Sequence, residues 1–315
     1  MIRYYTKSDG RLMELQSAEG ACWINIAPPF LGKELEVFSE EYHIPLDFLT
    51  DSLDKDERSR YEREDGIRLI MVNTPVLSLA EGDTEPIYTT IPVGLILTPD
   101  FLVTISSEEN PVIQKFLEER VKYFNPNDDT LFVLQLMEQN VYRYLVCLKK
   151  LDLKRNLIEK ELSDTSRNKE LQQLLGIEKS LVYFVNSLSS NELLKMKIKR
   201  VDFLSIRNDE YKTDLFEDIL IDNSQALEMA NVYTNILHGT MDAYGSIISN
   251  NLNYTMQRLT TITIVLMVPT LLSSFYGMNV HLPFEKVRLA YFYIIVVSVV
   301  LSIILLRYFQ KKKML

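Results

Sequence analysis

Three hydroxyls inside an apolar run are the first residues of this 315-residue chain whose type and spacing suggest chemistry. Thr263, Thr270 and Ser274 stand seven and four residues apart in an uncharged stretch, where a lipid-facing helix has no use for hydroxyls. The same rhythm runs back through Leu259, Met256 and Asn253, includes Met267, and reaches forward to Gly277. Steps of three and four keep residues on one face of an α-helix. Two readings of that face are open. It is a small-residue packing face whose hydroxyls bond back to the backbone, or it is the wall of a pore. One helix encloses nothing, so the second reading requires a ring of identical subunits.

The stripe runs into Tyr276-Gly277-Met278-Asn279. Glycine frees the backbone where the helix stops, and the asparagine amide offers a neutral carbonyl oxygen. A ring of such carbonyls can hydrogen-bond a hydrated cation without stripping it, which suits Mg²⁺, an ion that dehydrates reluctantly. Zn²⁺ favours His or Cys, and the stripe has neither.

A second spacing concerns carboxylates. Asp214, Asp218 and Asp222 lie at i, i+4 and i+8, with Glu217 beside them. Like charges at that spacing destabilise a helix, so the face either points into water or shares a cation. Other chemistry finds little support. His43, His238 and His281 form no pair with ligand spacing, Cys22 and Cys147 lie far apart, and Trp23 reads as core. The chain contains no phosphate-binding Walker loop and no nucleophile elbow, so neither an enzyme nor an organic cofactor is expected. The sequence pI near 5.1 argues against a nucleic-acid partner.

Composition shows what must position these residues. The net charge of −9 and mean hydropathy of −0.02 look like an ordinary acidic soluble protein, and the first residues have no apolar core of a secretory signal. The average hides two unlike parts. Residues 259–276 and 289–306 are two uncharged runs of 18, each long enough with flanking extension to cross a bilayer. Residues 259–315 carry a net of +5, which leaves −14 for residues 1–258. The basic tail Arg307-Tyr-Phe-Gln-Lys-Lys-Lys puts the C-terminus in the cytoplasm by the positive-inside rule. Two spans then return the N-terminal part to the same side. The expected location is the cell's inner membrane, with the lipid bilayer itself as a partner.

The expected fold class is an α/β cytoplasmic domain, a long helical stalk and two C-terminal transmembrane helices. Residues 1–121 hold short strand-like runs between turn signals. Residues 122–211 read as long antiparallel helices, begun by the capping cluster Asn127-Asp128-Asp129-Thr130. A stalk over 212–258 leads into a first span at 259–276. The loop 277–288, a second span at 289–309 and the tail 310–315 complete the chain. Read as one helix to Tyr276, the stalk would be roughly 100 Å long at 1.5 Å per residue. Gly239 and Gly245 are the places where it could break.

The Tyr276-Gly277-Met278-Asn279 motif, two C-terminal spans, Lys311-Lys312-Lys313 and a large acidic N-terminal domain resemble the CorA magnesium channel and transporter family. The resemblance is sharpest over 253–315. It implies a funnel-shaped homopentamer with a cytoplasmic α/β/α domain and the stalk helix lining the pore. It also implies gated influx of Mg²⁺, with Co²⁺ or Ni²⁺ as further cargo. Gly277, Met278 and Asn279 would form the external selectivity ring. Met256 and Leu259 would form a hydrophobic constriction with Asn253 at its inner end, and Thr263, Met267, Thr270 and Ser274 would lie along the pore.

The resemblance further implies feedback by Mg²⁺ bound between subunits. Asp218 matches the family's stalk carboxylate, and Leu49-Thr50-Asp51-Ser52-Leu53 resembles the stretch that carries its partner, nominating Asp51, with Asp214 and Asp222 alongside Asp218. Two departures stand out. The acidic MPEL-type loop is replaced by Val280-His281-Leu282-Pro283-Phe284-Glu285, which leaves Glu285 as the sole external carboxylate. The Met-Pro step is displaced, with Val268 between Met267 and Pro269. Two alternatives accompany this reading: a ZntB-like proton-coupled Zn²⁺ transporter on the same scaffold, and a membrane-anchored sensor that conducts nothing.

Overall fold

A computed structural model of the chain describes residues 1–8, 10–30, 33–79, 87–164, 168–278 and 289–312. The chain divides into two compact units, Met1–Gly239 and Thr240–Leu315. In the first, seven strands form one sheet: β1 (Ile2–Ser8), β2 (Arg11–Leu15), β3 (Trp23–Ile26), β4 (Arg60–Glu64), β5 (Ile67–Ser78), β6 (Ile87–Leu97) and β7 (Leu102–Ser106). Their spatial order is β2-β1-β3-β7-β6-β5-β4. Only β3 and β7 pair in parallel; the other neighbours are antiparallel.

Alternation along the central strands makes two cores. Ile24, Ile26, Leu69, Met71, Ile96, Val103 and Ile105 point to one side and pack with α1 (Glu34–Tyr42) and α2 (Leu46–Thr50) through Phe38, Phe48 and Leu49. The intervening residues face the other side, where α3 (Pro111–Leu117), α4 (Asp129–Asp164) and α5 (Asn168–Val201) lie. Trp23 is fully buried there, its ring edge-on to Phe132 at 5.1 Å and its Nε1–H donated to Thr104 Oγ1 at 2.9 Å. Period-2 apolar patterning on a sheet covered by helices on both faces is the α/β/α solution.

The long helices also complete the sheet. β4 pairs with β5 only from Ile67 to Met71, so β5 has an open edge beyond that point. Asn191 of α5 fills it as a strand would, accepting the Asn73 N–H at 3.0 Å and donating to the Asn73 carbonyl at 2.9 Å. Asn140 and Tyr144 of α4 donate to the same carbonyl, and Arg143 donates to the Pro75 carbonyl at 2.7 Å. Unpaired strand edges are a liability, and here helix side chains close one.

α6 runs without interruption from Glu210 to Tyr276. The Asp209 carboxylate accepts the Lys212 N–H at its start, and Lys212 reaches Asp128 at 2.8 Å, tying this turn to the beginning of α4. Phe216, Ile219, Asn223, Ala226, Ala230 and Leu237 are buried at steps of three, four and seven. Further round and along the same helix, Tyr233 and Tyr244 are half-buried and Ile248 is exposed. Gly239 and Gly245 lie within the continuous helix in open space. Its remaining hydrogen bonds outweigh a cost of about 1 kcal/mol per glycine. In the second unit the C-terminal part of α6 is joined by α7 (Ala290–Lys311). Both helices are long and apolar enough to cross a membrane.

Candidate functional site

The chemistry expected of the second unit depends on which way its hydroxyls face. Two sets exist. Thr261 and Ser298 are buried, at 1% and 5% exposure, and Ser302 is half-buried. Together with Val265, Val268 and Leu272 on α6, and Ile294 and Leu305 on α7, they are the covered faces of the two helices. Small and hydroxyl-bearing residues are what membrane helices use to approach closely. Every member of the polar stripe, Asn253, Met256, Leu259, Thr263, Met267, Thr270, Ser274 and Gly277, is exposed. At 3.6 residues per turn the stripe lies roughly 180° around α6 from Thr261, Val265 and Leu272. Helix packing within the chain is therefore the work of the first set, and the stripe is left free.

The hydroxyls of the stripe are quietened by their own helix. Thr263 Oγ1 donates to the Leu259 carbonyl at 2.9 Å and Thr270 Oγ1 to the Leu266 carbonyl at 3.1 Å. Each keeps its oxygen lone pairs available for a donor such as ion-bound water. Pro269 sits inside the helix. It has no N–H for the carbonyl four residues earlier, which is Val265. Ser302 of α7 donates to that carbonyl at 3.4 Å. A freed backbone group in an apolar setting needs such a substitute, and the polar residue that supplies it sits on the neighbouring helix.

At the end of α6 the Gly277 N–H bonds to the carbonyls of Ser273 and Ser274, at 3.0 and 3.2 Å, and the Met278 N–H to that of Phe275 at 3.3 Å. The helix thus finishes in a tight turn at the motif. Asn279, Glu285 and the rest of 279–288 lie outside the described residues, as does Lys313.

The carboxylates belong to the first unit. Asp214, Asp218 and Asp222 form an exposed row on α6, and none has an ion-pair or hydrogen-bond partner among the described residues. Glu217 is different, pairing with Lys199 of α5 at 2.8 Å. Asp51 opens a 3-10 turn, Asp51–Leu53, and is bound by Arg60 at 2.8 Å. Among the described residues, no group of three or more His, Cys, Asp or Glu is gathered to hold a metal within one chain. Oxygen donors of this kind fit Mg²⁺ by their chemistry. The three α6 carboxylates are open to it, and Asp51 already has a cation.

Sequence reasoning passed over Arg60, Ser302 and Lys195. Lys195 of α5 is fully buried, with its Nζ donating to Asn223 Oδ1 of α6 at 2.6 Å. Burial holds its pKa down at about 7, against the opposing pull of Glu192. Ser302 could have been found by asking which hydroxyl meets the carbonyl four residues before Pro269. Lys195 looks like any surface lysine in a charged helix.

A scan against family models matches residues 18–312 to the CorA-like Mg²⁺ transporter proteins. The chain belongs to that family. It is 25% identical over 295 residues to the cobalt/magnesium transport protein CorA of Methanocaldococcus jannaschii, covering 92% of this chain and 90% of that one. It is 24% identical over 301 residues to the CorA of Thermotoga maritima, covering 93% and 83%. The complete structure of the M. jannaschii transporter superposes with a TM-score of 0.80, over 98% of this chain and 97% of that one. The cytoplasmic domain of ZntB from Vibrio parahaemolyticus, 10% identical, covers 79% of this chain and 98% of that one with a TM-score of 0.59, a likeness of fold alone. The CorA-like fold here comprises the sheet domain, the long helix and the two apolar C-terminal helices. The chain is thus a membrane protein of a magnesium and cobalt transporter family, not of an enzyme class.

Proposed function

We propose that this chain is the subunit of a gated channel for Mg²⁺ influx, with Co²⁺ as further cargo, and that α6 lines its pore in a homopentamer. The observation that carries the reading is the free polar stripe. Amide, thioether and hydroxyl groups occupy an exposed face of an apolar helix, while other hydroxyls serve the packing against α7. Five copies facing inward would give these groups a use that lipid would not. Gly277, Met278 and Asn279 are the selectivity ring at the outer mouth. Met256 and Leu259 form a hydrophobic constriction that gates by dewetting, with Asn253 at its inner end. Both termini lie in the cytoplasm, and Glu285 is the external carboxylate that attracts cations. An inside-negative potential drives entry with about 2.3 kcal/mol per charge per 100 mV, doubled for a divalent ion.

Regulation is assigned to the carboxylates. Asp218, flanked by Asp214 and Asp222, and Asp51 of a neighbouring subunit would hold the regulatory Mg²⁺, which supplies charge neutralisation between them. Without it their mutual repulsion loosens the ring. The α6 row is exposed and has no partner among the described residues, which supports this assignment.

The test is flux into proteoliposomes with Mg²⁺ and with Zn²⁺, each with and without a pH gradient. Mg²⁺ entry that follows membrane potential and ignores the pH gradient is expected. Asn279→Ala should abolish it while the oligomer stays intact. Proton-dependent Zn²⁺ flux would replace this reading with the Zn²⁺ transporter. No flux of either ion through a verified oligomer would replace it with the non-conducting sensor.

A further inference from the structure

We infer that Arg60 is a tethered counter-cation for Asp51, which a divalent ion must displace, so that this arginine sets the metal concentration at which the sensor responds. The inference rests on the reading of Asp51 as a sensor carboxylate. Arg60 opens the edge strand β4, and all three of its guanidinium nitrogens are engaged. Nη2 meets Asp51 at 2.8 Å, Nη1 meets Glu57 at 2.5 Å and Nε meets Glu62 at 2.7 Å. The guanidinium is a rigid, permanently charged fork, so three carboxylates can converge on it without competing for one proton.

The local sequence builds this arrangement. Glu57 precedes Arg60 by three residues on the approach to the strand, and Arg60 and Glu62 share one side of β4 by its period of two. Asp51 arrives from the 3-10 turn that follows α2. Glu57 and Glu62 hold the guanidinium in place beside Asp51, whose Oδ2 is the atom engaged. The arginine side chain is 25% exposed, so its pairs are partly shielded from water.

A divalent cation that binds Asp51 meets this fixed positive charge. Either the ion takes the oxygen that Nη2 holds, or it binds the other oxygen within a few ångströms of the guanidinium and is repelled. Both routes weaken binding. A hydrogen bond to a charged group corresponds to about a tenfold to hundredfold factor in an equilibrium constant. Partial exposure moves the expectation to the lower end.

The experiment uses the full chain in detergent and follows protection from chymotrypsin as Mg²⁺ is titrated. That protease is chosen because replacing Arg60 removes no cleavage site for it. Arg60→Gln should bring half-protection to about tenfold lower Mg²⁺, and Arg60→Lys should fall between it and wild type. Glu62→Gln should move the midpoint the other way, because the amide oxygen can still accept from Nε and keep the arginine beside Asp51, while the negative charge that offset the guanidinium is gone. Midpoints within twofold of wild type in all three variants would overturn the inference. If Arg60→Gln alters the emission of the buried Trp23, a sign of misfolding, the Arg60→Lys and Glu62→Gln midpoints decide by the same criterion. Asp51→Asn separates the two levels. Full protection in that variant removes Asp51 from the sensor. Lost protection there, with unmoved Arg60 and Glu62 variants, sinks the role of Arg60 alone.

Discussion

Replacing Lys195 by methionine should change how stability depends on pH more distinctively than it changes stability itself. The ammonium is fully buried between α5 and α6 with one neutral acceptor, Asn223 Oδ1, and its pKa is about 7 against an ordinary 10.5. Below pH 7 both folded and unfolded chains carry the proton. Between pH 7 and 10.5 the unfolded chain binds it and the folded chain does not, so stability rises with pH. The slope approaches 1.4 kcal/mol per unit, and the gain from pH 7 to 9 is about 2 kcal/mol. That is a large share of a domain stability of about 5–15 kcal/mol. Methionine cannot titrate, so the difference between wild type and Lys195→Met should grow by this amount over the same range. Asn223 Oδ1 loses its donor in the variant, a cost of about 1–3 kcal/mol, but that offset does not depend on pH. Denaturant unfolding of the full chain in detergent, read by Trp23, measures the difference. Trp23 is the sole tryptophan and lies fully buried in the same unit. A wild type-to-variant difference that stays constant from pH 7 to 9 would refute the argument and mean that Lys195 keeps its proton when folded.

Three further outcomes follow from single contacts. Asn191→Ala should lower stability by about 2–4 kcal/mol, because it strips both the acceptor and a donor from the buried edge at Asn73. Unchanged hydrogen exchange at the Asn73 amide would count against the strand-like role of Asn191. Gly94→Ala should cost about 1–3 kcal/mol, since a Cβ there would lie 2.0 Å from Ser52 Oγ and 2.8 Å from Ile105; an unmoved denaturation midpoint would contradict this packing. Ser302→Ala should weaken the α6–α7 contact by about 0.6 kcal/mol. The same substitution beside Pro269→Ala, which restores the N–H for Val265, should cost less, and equal costs would show that Ser302 does not serve the freed carbonyl.

Much of this architecture was legible along the chain. The runs RLMEL, WINI and the long apolar stretches around Met71 and Leu95 gave strands because alternation is written into neighbouring residues. The long helices followed from the absence of proline and the capping cluster at Asn127–Thr130. β4 did not show itself: Arg-Tyr-Glu-Arg-Glu has no apolar alternation, and it is a strand because β5 offers it an edge. β1 and the short α3 were hidden in the same way, being defined by what they pair with or pack against.

The site divides along the same line. Periodicity determined by itself that a polar face exists on an apolar helix and that Asp214, Asp218 and Asp222 form a row. Helical geometry is local, and a spacing of three and four has the same consequence in any context. Which hydroxyls are spent on packing and which remain free was decided only when α7 lay against α6 and covered Thr261 rather than Thr263. Tertiary structure likewise bound Asp51 to a guanidinium nine residues away, and buried Lys195 where burial lowers its proton affinity. These outcomes depend on distances between elements, and a sequence read residue by residue contains no such distances.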